Sequence, residues 1–455
     1  MINLVVPLPH EGTETRGKDT AGDLRDGSSA VAPMIGRGLR RDDVDSTKGR
    51  RSPTSPPGRG TRTSTTATRT TTTRTTTTGP APSADRTDIA HAGLSFEALV
   101  EAYFDCRHTK RNTASALAFE ADLERNLVGL FDELAAGTYR PGPSICFVVT
   151  RPKPREVWAA QFRDRVVHHL LYNRIGSRFE RAFIADSCAC IKGRGTFYAV
   201  RRLEAKMRSV TRNWNRRAFY LKADVANFFV SIDKRILAGH LEARITEPWW
   251  RQLALQILFH DPREDVILRA STAQMALVPQ YKRLLEQPAH RGLPIGNLSS
   301  QFFANIYLDR LDQFAKHILR CRNFIRYVDD FAILHEDRAW LAAVLGEIEA
   351  FLPRELGIRL NPAKTIIQPV DRGIDFVGQV ILPWRRMTRR RTYREALRLT
   401  AAAASEDLLQ TANSYFGLLG QASASHHDRS RLARVVLRRG RVVDGAFTKS
   451  FQPCS

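Results

Sequence analysis

No apolar run in this chain approaches the roughly 18 residues that a membrane-crossing helix requires. The opening MINLVVPLP is short for a secretory leader and has no basic start, so the expectation is a soluble, cytoplasmic protein with no membrane partner. Cysteine is scarce too: the six, at 106, 146, 188, 190, 321 and 454, form no CxxC pair, which argues against both a zinc module and a disulfide framework. The lone CxC of Cys188 and Cys190 reads as packing. Acidic residues are in deficit, 47 Asp+Glu against 70 Lys+Arg, for a net charge of +23 over 455 residues. That excess points to a polyanionic partner and says nothing of fold.

Residues 1–90 are rich in Gly, Pro, Ser, Thr, Arg and Asp and culminate in GTRTSTTATRTTTTRTTTTGPAPSAD. Such a segment has too little apolar surface to offset its ordering entropy, so it is expected to be a disordered, low-complexity tail. It holds 14 Lys+Arg and 10 Asp+Glu, so most of the positive excess belongs to the rest of the chain.

Globular patterning starts at LSFEALVEAYFDCR and runs to about Arg439. Apolar residues at 162, 166, 167, 170, 171, 175 and 179 keep helical spacing, and FYLKAD reads as a strand ending in Asp224. After GLPIGN, the positions Leu298, Phe302, Phe303, Ile306, Leu311, Phe314 and Ile318 trace a helix with Asn297 or Ser299 as its cap. FIRYVDDFAILH then reads as strand, turn, strand, with a helix from about Trp340 to Leu352 and a further strand in DFVGQVIL. This order is an α+β pattern, an antiparallel sheet backed by helices. The stretch from Arg385 to Arg439 reads as basic and mostly helical.

Two adjacent acids, Asp329 and Asp330, stand in a hairpin turn, where on their own they would be ordinary surface residues. Asp224 also closes a strand, and a sheet could set it beside Asp329. Three converging carboxylates repel one another unless a cation sits among them. All-oxygen ligation suits a hard ion such as Mg²⁺, and two such ions could clamp the attacking and leaving oxygens of a phosphoryl displacement. That chemistry would be nucleotidyl transfer.

At this point the motifs resemble those of reverse transcriptases, in the family's order, over about Leu94 to Arg439. RYVDDF resembles the YxDD box, KADVANFFVSID the preceding aspartate motif, and GLPIGNLSSQFFANIYLDRLD the glycine box with its helix. LNPAKT is similar to the lysine motif, FVGQVIL to the strand at the base of the thumb, and KPREVWAAQFRDRVVHHLLYNRI and DSCACIKGRGT to two finger motifs. The resemblance implies a right-hand polymerase: N-terminal helices and fingers at 94–215, palm at 216–384 with an insertion around 255–291, basic helical thumb at 385–440 and a tail at 441–455. It implies that Asp224, Asp329 and Asp330 are catalytic and hold two Mg²⁺ ions, with Mn²⁺ as a substitute. Phe229 falls at the steric-gate position that favours dNTPs, with Phe228 left for the core. Lys153, Arg155 and Arg194 match nucleotide-binding finger positions, where a guanidinium fork suits phosphate. Lys364 matches a lysine assisting pyrophosphate departure. By the same resemblance Ile295 and Gly296 would lie beside the incoming nucleotide, with Gln301 on the template side. The implied partners are template RNA, an RNA/DNA duplex and dNTPs.

The glycine box departs from the usual QGxxxSP and reads IGNLSSQ. This IGxxxSQ form resembles the enzymes of bacterial diversity-generating retroelements, which copy a template-repeat RNA mutagenically with a small basic accessory protein. Glutamine offers a donor and an acceptor, whereas isoleucine offers only shape, so Ile295 would relax selectivity. Ile191 replaces a usual arginine, leaving a triphosphate contact missing or supplied by Lys192, and the insertion is long for that subtype. A defence-associated or group II-like bacterial enzyme and an idle RNA-binding relative remain as alternatives. His426 and His427 read as surface residues.

Overall fold

Three helices open the described chain: α1 (Phe96–His108), α2 (Ala114–Glu120) and α3 (Leu123–Ala135). Their apolar faces close on the long helix α4 (Phe162–Glu180), which buries Phe162, Val166, Val167, Leu170, Leu171, Ile175 and Phe179, the helical set read from sequence. Between α3 and α4 run two antiparallel strands, β1 (Ser144–Val149) and β2 (Arg155–Ala159). The resemblance assigns these elements to the fingers. The computed structural model describes residues 93–108, 113–151 and 153–452; the tail expected at 1–90 lies outside them.

Helix α5 (Thr196–Val210) leads into strand β3 (Phe219–Asp224), followed by α6 (Phe228–Ser231), α7 (Lys234–Glu242) and α8 (Pro248–Phe259). The insertion comes next. The resemblance puts it in the palm; its strand β4 (Val266–Leu268) pairs in parallel with β1. An open strand edge offers unpaired N–H and C=O groups, and the added strand satisfies them. Farther along, beyond helix α9 (Thr272–Ala276), the Leu284 N–H donates to the buried Glu156 carboxylate at 2.7 Å, and its side chain packs with Cys146 and Trp158.

The palm continues with α10 (Leu298–Gln313), β5 (Asn323–Tyr327), β6 (Asp330–His335), α11 (Arg338–Leu356) and β7 (Ile366–Pro369). Its antiparallel sheet has the order β5-β6-β3-β7. Strand alternation sorts the side chains onto two faces. Leu221, Ala223, Phe324, Phe331 and Ile333 face the main core with α10 and α11. Tyr220, Ile325, Ala332 and Leu334 face a second core with α5. Asn297 occupies the N-cap position of α10 without capping it, because its Oδ1 accepts instead from Ala160 N at 3.1 Å.

A second antiparallel sheet, β8 (Ile374–Phe376), β9 (Gln379–Leu382) and β10 (Arg385–Thr388), follows. The stretch 385–439, read as mostly helical, is so except at its start: Arg385–Thr388 is strand, because its backbone pairs with β9. The thumb helices α12 (Arg390–Ala402), α13 (Leu408–Leu419) and α14 (His426–Arg438) close on their own small core. Residues read as a tail add a hairpin, β11 (Val442–Val443) with β12 (Ser450–Phe451), tied to α13 by Ser450 N donating to Asn413 Oδ1 at 2.6 Å. Among the described residues no helix is long and apolar enough to cross a membrane.

Candidate active site

The ladder between β3 and β6 sets Asp224 opposite Asp330. Asp329 lies one residue earlier, in a two-residue turn closed by the Tyr327 and Asp330 pair. Val225 N donates to the Asp329 carbonyl at 3.1 Å, tying the turn to the end of β3. Val328, the first turn residue, has φ +56, a left-handed conformation that costs a β-branched residue about 1–2 kcal/mol. Arg326 offsets that strain. Its guanidinium donates to the Val328 carbonyl at 2.9 Å, to both Asp312 carboxylate oxygens at 2.7 Å, to Ser187 Oγ at 2.9 Å and to Asn305 Oδ1 at 3.2 Å. Arg326 and Asp312 are essentially sealed from water, at 1% and 0% side-chain exposure.

Each of two acids faces a lysine. Lys364 Nζ lies 2.7 Å from both oxygens of Asp224, and Lys222 Nζ lies 3.2 Å from Asp330 Oδ2. Among the described residues no three Asp, Glu, His or Cys side chains are already grouped as a metal-ion site. Asp329 is buried. Burial, then the charges of Asp224 and Asp330, push its carboxyl up to about 7. Burial lifts Asp330 to about 6 against the pull of Lys222, and its Oδ1 is buried with no partner. The uncompensated Asp329 carboxyl, with Asp224 as a second oxygen donor, suits a divalent cation. Lys364 would have to leave Asp224 to admit it.

The fingers approach with cations. Arg155 begins β2, next to the Glu156 that anchors the insertion. Lys153 is exposed in the β1–β2 loop, and its ammonium pKa is lowered by partial burial, then by Lys364, Lys282, Arg155 and Arg391. Thus a finger lysine feels charges from palm, insertion and thumb. Phe228 is buried in the main core while Phe229 is only half-buried, its ring 5.5 Å from that of Phe228. The glycine box is strapped to β2. Trp158 N donates to the Ile295 carbonyl at 2.7 Å, and a Cβ on Gly296, whose φ is +133, would stand 2.8 Å from the Trp158 carbonyl oxygen. Gln301 lies in the first turn of α10, half-buried.

Two finger-motif residues turn inward. Arg194 Nη1 donates to the Ile184 and Ser187 carbonyls at 2.8 and 2.9 Å, so that edge of its fork stitches the 184–194 loop. Ile191 is buried in the main core, and Lys192 is exposed. His426 and His427 are exposed at the start of α14. The supporting residues Arg326, Asp312, Asn305 and Lys222 did not come out of the sequence reading. A signal existed: an arginine interrupts the apolar strand FIRY, and Asn305 and Asp312 stand seven residues apart on one face of a helix.

Acids at the rim of an antiparallel palm sheet, a fingers sheet bearing cations and a basic helical thumb define a right-hand nucleic-acid polymerase. A family model described as "Reverse transcriptase (RNA-dependent DNA polymerase)" matches residues 151–381, and the chain belongs to that family; it is an RNA-directed DNA polymerase. Protein YkfC of Escherichia coli (strain K12) is 22% identical over 334 residues, covering 66% of this chain and 81% of that protein. Among solved structures, the telomerase of Candida albicans with a TWJ fragment of telomeric RNA matches at 14% identity and TM-score 0.38, over 66% of this chain and 54% of that one. The apo telomerase of Candida tropicalis matches at 11% and 0.43, over 65% and 56%. The chain thus spans about half the length of these telomerases, and likenesses this loose add nothing to the fold described above.

Proposed function

We propose that this protein copies an RNA template into DNA at Asp224 and Asp329 and that it is of the diversity-generating type. The observation that carries the site is the meeting of Asp224, Asp329 and Asp330 at one end of the β3–β6 ladder, with the Asp329 carboxyl pushed up to about 7 by burial and its acidic neighbours. Family members use divalent metal ions. Here two Mg²⁺ ions, or Mn²⁺, would be held by Asp224 and Asp329 with Asp330 completing the acidic set, and would activate the primer 3′-hydroxyl and neutralise phosphate charge.

The chain's own groups do the rest. Lys153 and Arg155 grip the triphosphate, and Lys364, once released from Asp224, donates a proton to the departing pyrophosphate. The half-buried Phe229 ring lies beneath the sugar and rejects a 2′-hydroxyl. Gly296 lets the box backbone close on β2, so that Ile295 presents shape to the nascent base pair while Gln301 faces the template.

Primer extension on poly(rA)/oligo(dT) tests the reading. Divalent-dependent synthesis by the wild type and its loss by at least about 1,000-fold in Asp329→Asn are expected; equal rates would refute the site. The subtype rests on IGNLSSQ. Ile295→Gln should lower misincorporation opposite template adenine, and an unchanged error spectrum would remove the mutagenic reading. A small basic accessory protein and a bacterial cytoplasmic setting belong to the same proposal.

A further inference from the structure

Away from the acids, helix α5 carries a stripe of aromatic rings and guanidinium groups that the polymerase reaction leaves unused. Phe197, at its N-terminal end, is 39% exposed and has the guanidinium carbons of Arg201 and Arg386 at 5.8 and 5.7 Å from its ring centroid. Arg208 lies 5.8 Å from the Trp214 ring just past the other end. The Trp214 ring in turn lies 6.2 Å from that of Trp384, which is 65% exposed. The helix's 15 residues separate its two ends by roughly 22 Å. Its N-terminal end adjoins the 187–194 loop, which bridges to Arg326, so Trp214, past the other end, lies away from the acids.

Both tryptophans are held in conformations their residue type resists. Arg212, Asn213 and Trp214 are three consecutive non-glycine residues with φ +48, +57 and +72. The turn is built: Thr211 Oγ1 donates to Met207 O at 2.7 Å and accepts from Trp214 N at 2.9 Å. Trp384 follows Pro383 in the two-residue turn between Leu382 and Arg385, with φ +65. A proline followed by a residue at positive φ is the type II arrangement, whose second place ordinarily belongs to glycine or asparagine. A large indole kept in a glycine's place, mostly in water, is there for its ring. Arg385 beside it, and Arg212 and Arg216 either side of Trp214, are exposed, and no carboxylate lies within ion-pair reach of them among the described residues.

We propose that Trp384, Trp214 and the surrounding arginines bind an unpaired segment of the template RNA, remote from the point of synthesis. Aromatic faces accept any base by stacking, and unneutralised guanidinium groups track the phosphates. The charge selects this occupant, because a protein partner would need a matching acidic face, whereas RNA supplies one phosphate per nucleotide. The inference rests on the reading of this chain as an RNA-copying enzyme.

Fluorescence anisotropy with a labelled, unstructured RNA of about 20 nucleotides tests it on the full chain. Trp384→Ala should weaken binding about 5- to 10-fold while Trp384→Phe stays near wild type. Arg212→Gln with Arg216→Gln should flatten the log–log salt slope by about 1.4. Extension of a short primed template with only a brief overhang should be unchanged in Trp384→Ala. Equal affinities in wild type and Trp384→Ala would overturn the proposal and leave a protein-facing surface. Should the wild type bind RNA through Trp384 yet extend no primer, the surface stands and the copying reading falls.

Discussion

Gly296 shows how one residue type can be dictated by its neighbour's backbone. The chain there has φ +133, and any Cβ would meet the Trp158 carbonyl oxygen at 2.8 Å and Val157 Cγ1 at 3.0 Å. Neither partner yields cheaply, since Trp158 is paired in the fingers sheet. Gly296→Ala should therefore destabilise the protein by about 1–3 kcal/mol and lower primer extension more than about tenfold by prising the nucleotide-side loop off β2; urea denaturation and initial rates check the two effects. The importance of Gly296 could be read in the sequence only through family resemblance. Its physical reason, a carbonyl 138 positions earlier, could not. Arg194 shows a second constraint of the same kind: its motif position suggested a phosphate ligand, and its Nη1 also braces two backbone carbonyls.

At the scale of elements, the β5–β6 hairpin depends on an ion pair that α10 supplies. Arg326 and Asp312 meet through two 2.7 Å contacts in full burial, and Arg326 also holds the strained Val328 carbonyl. Removing one partner leaves an uncompensated buried charge, so Arg326→Met should cost about 3–5 kcal/mol. Adding Asp312→Leu should recover part of that stability without restoring primer extension, because the Val328 carbonyl still lacks its donor. Denaturation midpoints of the two variants decide the first claim, and extension rates the second. The strands themselves were legible as runs of β-branched and aromatic residues. The insertion's allegiance was not, because strand partners separated by more than a hundred residues are chosen by an open edge in space and not by local pattern.

At the scale of the whole molecule, histidines buried without a charge make the fold acid-sensitive. Burial, with His169, Arg165 and His260 nearby, pushes the His168 imidazole down to about 3, and burial with Arg310 and Arg244 takes His240 to about 4. Each is neutral in the fold but takes up a proton in the unfolded chain below about pH 6.5, so the unfolded state binds more protons and stability falls as pH drops from there toward the folded values. His168→Gln should lose less stability than wild type between about pH 7 and pH 5, as urea midpoints at the two values would show. By itself, the sequence determined the reaction class and the order of the main palm elements: β3, α10, the β5–β6 hairpin and α11. Both live in local information: strand and helix periodicity, and short motifs whose residue types are demanded by their chemistry. Tertiary structure decided what each acid faces, Lys364 for Asp224 and Lys222 for Asp330. It also paired the insertion's strand with β1 and left a strained Trp384 exposed beside the half-buried Trp214. These depend on which distant segments approach within a few ångströms, and packing sets that distance where periodicity has no say.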